Sequence, residues 1–169
     1  MIVCPSCGHE NLEGAETCEH CQHSLSGLDL SPATGIEAAL AADSLASLSP
    51  KSPVTVTPED SVRDVLKTMV EKSVGCVVVA DADGVKGIFS ERDVVKRIGS
   101  NIDEHGDKPV REFMTPNPGT LHPEDKVAFA VQRMDLGGYR HVPVVDSNDQ
   151  LTGVISVRDI LHYLTTLSK

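Results

Sequence analysis

Apolar and polar positions follow the same order twice along the chain, at an offset of about 65 residues. Each copy begins with a short alternating stretch, followed by an amphipathic helix, two apolar runs separated by a turn, and a second helix. The first helix of the first copy carries its apolar residues on one face: Val62, Val65, Leu66, Met69 and Val70. The pattern therefore predicts an α/β (α+β) fold made of two β-α-β-β-α repeats.

Turn and cap residues divide the elements inside each copy. Asp60 or Ser61 is expected to cap the start of the first helix, and Gly75 is expected to end it as a C′ glycine. Asp81-Ala82-Asp83-Gly84 predicts a hairpin turn between two apolar strands. In the second copy Gly137-Gly138 is expected to end the helix, and Pro143 predicts an edge position or a bulge.

A Ser-x-x-Asp pair opens the last helix of each copy. The segment GIFSERD at residues 87–93 recurs as GVISVRD at residues 153–159. At a helix start, the serine hydroxyl, the aspartate and free backbone N–H groups could together hold a ribose. The same spacing is equally that of a capping box, in which the two side chains only close the helix end. Spacing alone leaves both interpretations open.

Four cysteines near the N-terminus form two C-x2-C pairs, Cys4 with Cys7 and Cys18 with Cys21. Two such turns can supply the four thiolates of a tetrahedral zinc site. Two disulfides or a redox pair are less consistent, because a reducing cytosol disfavours disulfides and no βαβ pattern surrounds the pairs. A closed four-thiolate shell leaves no open position, so the predicted zinc is structural. The segment resembles a short, rubredoxin-like zinc ribbon over residues 1–25.

Residues 26–44 are expected to be a linker. It is rich in Ser, Ala, Gly and Pro, and its later part has a weak apolar helical stripe. That helix could dock on the following domain or on a partner, or the segment could be a mobile tether.

Charge and composition restrict the classes of function. The net charge is −10, and residues 1–50 contain seven acidic side chains and no lysine or arginine. The charge therefore disfavours nucleic-acid binding, since phosphate contacts need basic residues. No apolar run approaches the ~20 residues of a membrane span, and no signal peptide pattern is present, so a cytoplasmic location is expected.

The paired repeats resemble a tandem of cystathionine-β-synthase (CBS) domains, a Bateman module. The resemblance is carried by GIFSERD, by GVISVRD, by YRHVPVVD at residues 139–146 and by FMTP at residues 113–116. It implies two CBS domains, at residues 45–102 and 103–169, packed as a pseudo-twofold pair beside the ribbon.

The resemblance also implies two ligand sites of unequal strength. Site A would comprise Arg140, His141, Ile155, Ser156, Arg158 and Asp159, together with Thr55, Val56 and Thr57 from the other repeat. Site B would comprise Ser90, Arg92, Asp93, Thr120 and Leu121. Site B has Gly75-Cys76 where site A has Arg140-His141, so we expect it to be empty, weaker, or suited to an uncharged ligand made of a sugar and a base.

A regulatory function follows from this resemblance. The family implies a protein that senses an adenosine-containing ligand (AMP, ADP, ATP or S-adenosylmethionine), forms a homodimer through its CBS helices and signals to a protein partner. No catalytic constellation is evident, so enzymatic activity is not expected. The alternative is an adaptor without ligand that uses the ribbon and the CBS dimer for protein contacts.

Overall fold

The computed structural model describes residues 2–12, 15–25 and 35–167. The first part of the predicted linker, residues 26–34, lies outside the described residues. The architecture is a mixed α/β pair of repeats preceded by a small cysteine-containing unit.

The N-terminal unit is built on two short antiparallel strands, β1 (Ile2–Val3) and β2 (Glu10–Asn11). Its interior consists of Cys4, Cys18 and Leu25. Asn11 is buried and joins the two cysteine turns, because its Nδ2 donates to the His9 carbonyl at 2.8 Å and its Oδ1 accepts from the Glu19 N–H at 3.0 Å. One amide side chain thereby fixes the two halves of the unit relative to each other.

A helix precedes the first repeat and packs on the second. Helix α1 (Ile36–Ala42) and a 3₁₀ helix (Leu45–Leu48) lie against the last helices of the chain. Leu45 is fully buried in the second repeat's core, the Tyr163 hydroxyl donates to Asp43, and Lys126 Nζ donates to the Ala42 carbonyl at 2.6 Å. Within the described residues, the helical part of the predicted linker is thus docked on the following domain.

The first repeat forms a four-stranded sheet in the order β3-β4-β5-β6. Its elements are β3 (Thr55–Val56), α2 (Val62–Glu71), β4 (Cys76–Asp81), β5 (Gly84–Ser90) and α3 (Glu91–Asp93), which continues into a π-helical turn (Val94–Ile98). β3 pairs parallel to β4, and β4 and β5 form the predicted hairpin. The short helix α4 (Ile102–His105) and a 3₁₀ turn (Val110–Glu112) lead to β6 (Thr115–Pro116).

The end of α2 differs from its sequence-based expectation. Ser61 caps the start as predicted, accepting from the Asp64 N–H at 3.1 Å. The helix stops at Glu71, however, and Ser73 rather than Gly75 adopts the left-handed conformation, with φ 52°. The Val74 N–H donates back to the Met69 carbonyl at 3.0 Å, which is the long hydrogen bond of a Schellman ending. Serine tolerates this conformation, and Gly75 is used for a close contact described below.

The second repeat has the same order of elements. Helix α5 (Val127–Gly137) ends at Gly138, which is left-handed as predicted, with φ 62°. Strands β7 (His141–Val145) and β8 (Leu151–Ser156) form a hairpin, and α6 (Val157–Leu167) follows. The register shifts between Val144 and Val145, next to Pro143, so the predicted bulge lies within one residue of the proline.

Chain segments cross between the two repeats. Val110 and Phe113, which the predicted domain boundary assigned to the second repeat, are buried in the core of the first. β6 extends the first repeat's sheet, with Thr115 opposite Ile88. In the same way Lys51 pairs with Val154 of the second repeat, and Leu45 lies in its core. Each hairpin is therefore completed by the segment that precedes the other repeat.

None of the helices in the described part of the chain combines the length and apolar character that a bilayer crossing requires.

Candidate ligand cavity and metal centre

The four N-terminal cysteines converge on one point. Their sulfur atoms all lie within 4.8 Å of one another, with Cys4 Sγ 3.5 Å from Cys21 Sγ and Cys7 Sγ 3.6 Å from Cys18 Sγ. A tetrahedron of thiolates around zinc, with Zn–S near ~2.3 Å, has edges of about 3.8 Å. The sulfurs are unbonded to each other, and their spacing fits a single divalent ion. The four predicted ligands are therefore arranged as a site that could hold one metal ion.

The cysteine unit also contacts the second repeat. His23 Nε2 lies 2.7 Å from Gln132 Nε2 on α5. This hydrogen bond joins the segment that follows the last cysteine turn to a helix of the repeat pair.

A cavity of about 910 Å³ lies between the repeats. One wall comes from the second repeat and contains Arg140, His141, Ser156, Arg158 and Asp159. The opposite wall comes from the first repeat and is largely apolar, with Leu66, Met69, Val70, Val74, Val94 and Val95. The basic side chains Arg140 and Arg158 thus lie on one side of the cavity and face a largely apolar surface that could accommodate an aromatic base.

Ser156 and Asp159 form a capping box whose second carboxylate oxygen is engaged by a lysine. Asp159 Oδ2 accepts from the Ser156 N–H at 2.8 Å and from the Ser156 hydroxyl at 2.6 Å, while Oδ1 accepts from Lys51 Nζ at 2.7 Å. Burial raises the pKa of Asp159, but the hydrogen bonds from Lys51 and Ser156 outweigh it and hold that pKa below its usual value. The capping box is present, and Oδ1 remains able to exchange Lys51 for a ligand hydroxyl.

Arg140 and His141 stand at the start of β7, beside the start of α6. His141 pairs with Ser156 across the hairpin, and the Val157 N–H donates to the Arg140 carbonyl at 2.9 Å. His141 is partly buried, and its Nδ1 is buried with no hydrogen-bond partner among the described residues. Burial lowers the pKa of His141 despite the nearby carboxylates Glu91 and Asp159, so the imidazole is kept neutral.

In the first repeat, both carboxylate oxygens of the equivalent aspartate, Asp93, already accept hydrogen bonds from other groups of the protein. Asp93 is only 7% exposed, and its Oδ2 accepts from the Ser90 N–H at 3.0 Å and from the Ser90 hydroxyl at 2.7 Å. Its Oδ1 accepts from the Thr115 hydroxyl at 3.1 Å and lies 3.7 Å from Arg97 Nε. Thr115 occupies the place that Lys51 takes in the other repeat, since Ile88 and Val154 are equivalent. Arg92 donates to the Gly138 carbonyl.

Several predicted site A residues lie elsewhere. Thr55, Val56 and Thr57 line a separate recess of about 590 Å³ beside the hairpin turns. Ile155 is fully buried in the second repeat's core. β3 pairs parallel to β4, and this pairing carries residues 55–57 away from the cavity. The segment just before them, with Lys51, Ser52 and Val54, lines the cavity instead.

The predicted site B residues are likewise not gathered around one opening. Leu121 is buried in the second repeat's core, and Thr120 lines neither cavity. Sequence reasoning also missed Lys51 and the α2 residues. The signal that could have identified Lys51 is its offset of about 64 residues from Thr115, the residue beside the first Ser-x-x-Asp pair.

The CBS-domain family model matches residues 45–100 and 110–166. The chain belongs to the CBS-domain family. Its paired repeats are therefore a CBS pair, as the sequence motifs predicted, and the cysteine unit lies before the first matched segment.

Solved CBS proteins share this fold. A CBS-domain protein of Agrobacterium tumefaciens is 34% identical, with a TM-score of 0.62 over 70% of this chain and 94% of that one. A CBS domain protein of Pyrobaculum aerophilum, solved in complex with AMP, is 28% identical, with a TM-score of 0.63 over 73% of this chain and 99% of that one.

Curated relatives match over the repeats. An uncharacterised 17.7 kDa protein of Acidianus ambivalens is 36% identical over 110 residues, which are 64% of this chain and 65% of that protein. A CBS domain-containing protein of Arabidopsis thaliana is 31% identical over 63% of this chain and 20% of its own length. The chain thus spans less than two thirds of the length of these relatives.

Proposed function

We propose that this protein is a regulatory ligand-binding protein whose CBS pair senses an adenosine-containing ligand, AMP, ADP, ATP or S-adenosylmethionine, and signals its occupancy to a protein partner. The observation that carries the proposal is the cavity between the repeats. Its polar wall combines the Ser156–Asp159 pair with Arg140, His141 and Arg158.

Each part of such a ligand has a complementary group in the cavity. Asp159 Oδ1 and the Ser156 hydroxyl suit a ribose at the start of α6. The guanidinium groups of Arg140 and Arg158 suit a phosphate, which arginine binds through paired hydrogen bonds. The valines and leucine of the first-repeat wall suit the faces of a base. The AMP complex of the Pyrobaculum aerophilum relative supports this class of ligand.

The second site is proposed to be weak or empty. Both oxygens of Asp93 are already held by groups of this chain, and Gly75-Cys76 offers no cation for a phosphate. A ligand there would have to displace Thr115 as well as find its own charge partner.

Transmission to a partner is proposed to use a homodimer and the ribbon. Leu136 is 55% exposed on α5, and Leu161 is 56% exposed on α6. A second copy that packs against these helices would cover them. The zinc ribbon would report on the second repeat through the contact between His23 and Gln132. We further propose a cytoplasmic location and no catalytic activity of the chain's own.

The experiment that tests this function is calorimetric titration of the zinc-loaded full chain with AMP, ADP, ATP and S-adenosylmethionine. Asp159→Ala removes the proposed ribose contact and a capping box together. Asp93→Ala removes the equivalent capping box from the first repeat and serves as the matched control, with the melting temperature of each variant measured alongside.

Binding that is lost in Asp159→Ala and kept in Asp93→Ala would support the sensor. Hydrogen bonds to a charged carboxylate are worth about 1.5–3 kcal/mol, so we expect Asp159→Ala to weaken binding by about 10-fold to about 150-fold. Equal binding by wild type and Asp159→Ala would contradict the assignment of the site.

A second candidate function is a ligand-free adaptor. Lys51 already holds the one oxygen of Asp159 that the capping box leaves over, as Thr115 does for Asp93. If no adenine ligand binds to folded protein, this interpretation replaces the sensor.

A further inference from the structure

The first-repeat wall of the cavity carries one acidic side chain. Glu91 lines the cavity together with Arg140, His141 and Arg158, although it belongs to the first repeat. Its counterpart in the second copy of the motif is Val157, so the two repeats contribute walls of opposite charge.

Gly75 leaves the space that the Glu91 carboxylate occupies. The Glu91 N–H donates to the Gly75 carbonyl at 3.1 Å, and Glu91 Oε2 lies 3.2 Å from the position that a Cβ on residue 75 would take. The corresponding pair in the second repeat is Arg140 and Val157, joined by the same backbone hydrogen bond at 2.9 Å. One repeat thus combines glycine with glutamate, and the other combines arginine with valine.

The charge of Glu91 is not cancelled by a neighbouring cation. None of the ion pairs formed among the described residues includes Glu91. In the described lining of the cavity, the first-repeat wall from Leu66 to Val95 carries Glu91 and no lysine or arginine. Lys51 pairs with Val154 of the second repeat, so the cations in the described lining, Lys51, Arg140 and Arg158, all belong to the wall that faces Glu91.

We propose that Glu91 determines specificity by restricting the ligand to a nucleoside with a single phosphate group. This inference rests on the proposed function. A ribose held at Ser156 and Asp159 places its first phosphate against Arg140 and Arg158. A second and a third phosphate would extend across the cavity towards the first-repeat wall, where Glu91 repels them and no cation compensates.

The test is calorimetric titration of the zinc-loaded full chain with AMP, ADP and ATP, without added magnesium. Glu91→Gln keeps the shape of the side chain and removes its charge, and Glu91→Val introduces the residue that the second repeat has. Glu112→Gln makes the same charge change at an exposed position outside the cavity and is the matched control.

We expect wild type and Glu112→Gln to bind AMP more tightly than ATP. Glu91→Gln should tighten ATP binding by about tenfold and AMP binding by about twofold. Coulomb's law gives about tenfold for one charge about 12 Å away at an effective dielectric constant of about 20, and the effect on AMP is smaller because Arg140 and Arg158 already balance the charge of its phosphate. Glu91→Val should change the ratio of the two affinities in the same direction.

Two results would overturn the inference while leaving the proposed function intact. One is a wild-type protein that binds ATP as tightly as AMP, and the other is an equal effect of Glu91→Gln on both nucleotides. Absence of binding by every nucleotide, in wild type and variants that melt at similar temperatures, would instead overturn the proposed function and this inference with it.

Discussion

Replacing Lys51 by methionine should strengthen the binding of an uncharged nucleoside. Lys51 Nζ holds Asp159 Oδ1 at 2.7 Å, and the capping box holds the other oxygen. A ribose that uses Asp159 must therefore displace this lysine. Lys51→Met keeps an unbranched side chain of similar length and removes the competing charge.

The size of the effect follows from the exposure of the pair. The Lys51 side chain is 68% exposed and that of Asp159 is 14% exposed, so the ion pair is largely screened by solvent. Pairs of this kind contribute about 0.2–1 kcal/mol, which corresponds to a gain in adenosine affinity of about 1.4-fold to about 5-fold. With AMP the gain should be smaller, because the displaced lysine of the wild type is available to the phosphate.

Calorimetric titration with adenosine and AMP measures both affinities. Lys67→Met is the control, since it breaks an exposed ion pair with Glu71 outside the cavity and should change neither affinity. Weaker adenosine binding by Lys51→Met would refute the reasoning, because it would mean that Lys51 contacts the ligand rather than competing with it.

Two further predictions concern a thiol and an imidazole. Cys76 is buried, and burial together with the charge of Asp93 raises its pKa to about 12. Chelating the metal removes the bonds that hold the small cysteine unit together, so Ellman's reagent should then react quickly with Cys4, Cys7, Cys18 and Cys21 and slowly with Cys76, whose surroundings do not depend on the metal. Five equally fast thiols would contradict this. For His141, burial lowers the pKa, so the folded protein resists protonation and loses this stability as the pH falls through the ordinary histidine value of 6.5. Between about pH 7.5 and about pH 5.5, the melting temperature of the wild type should fall further than that of His141→Gln, and equal falls would contradict this prediction.

Local features were predictable because their causes lie within a few residues. The cap at Ser61 and the left-handed Gly138 depend on neighbouring backbone groups, and both are where the sequence placed them. The predicted end of α2 was wrong by two residues, because Ser73 adopts the left-handed conformation that glycine usually supplies. Gly75 instead leaves space for the side chain of Glu91, and these two residues are 16 positions apart in the sequence.

The candidate site was predictable on one wall and not on the other. The second-repeat wall comes from one hairpin and the helix after it, so its residues could be predicted from the local motif. These residues are Arg140, His141, Ser156, Arg158 and Asp159. The other wall depends on where the chain leaves the cavity to form β3. We predicted residues 55–57 at this wall, but Lys51, Ser52 and Val54 line the cavity there instead. A strand pairing that shifts the chain by a few residues leaves no trace in composition or periodicity.

The sequence by itself determined the repeat, its β-α-β-β-α order and the two pairs of cysteines, because periodicity, turns and metal-ligand spacing are local properties. Only the tertiary structure decided that Val110 and Phe113 complete the first core while Leu45 completes the second. It also decided that Oδ1 of Asp93 accepts a hydrogen bond from Thr115, while Oδ1 of Asp159 forms an ion pair with Lys51. These differences arise where segments cross between the repeats, and contacts between residues distant in sequence follow from packing alone.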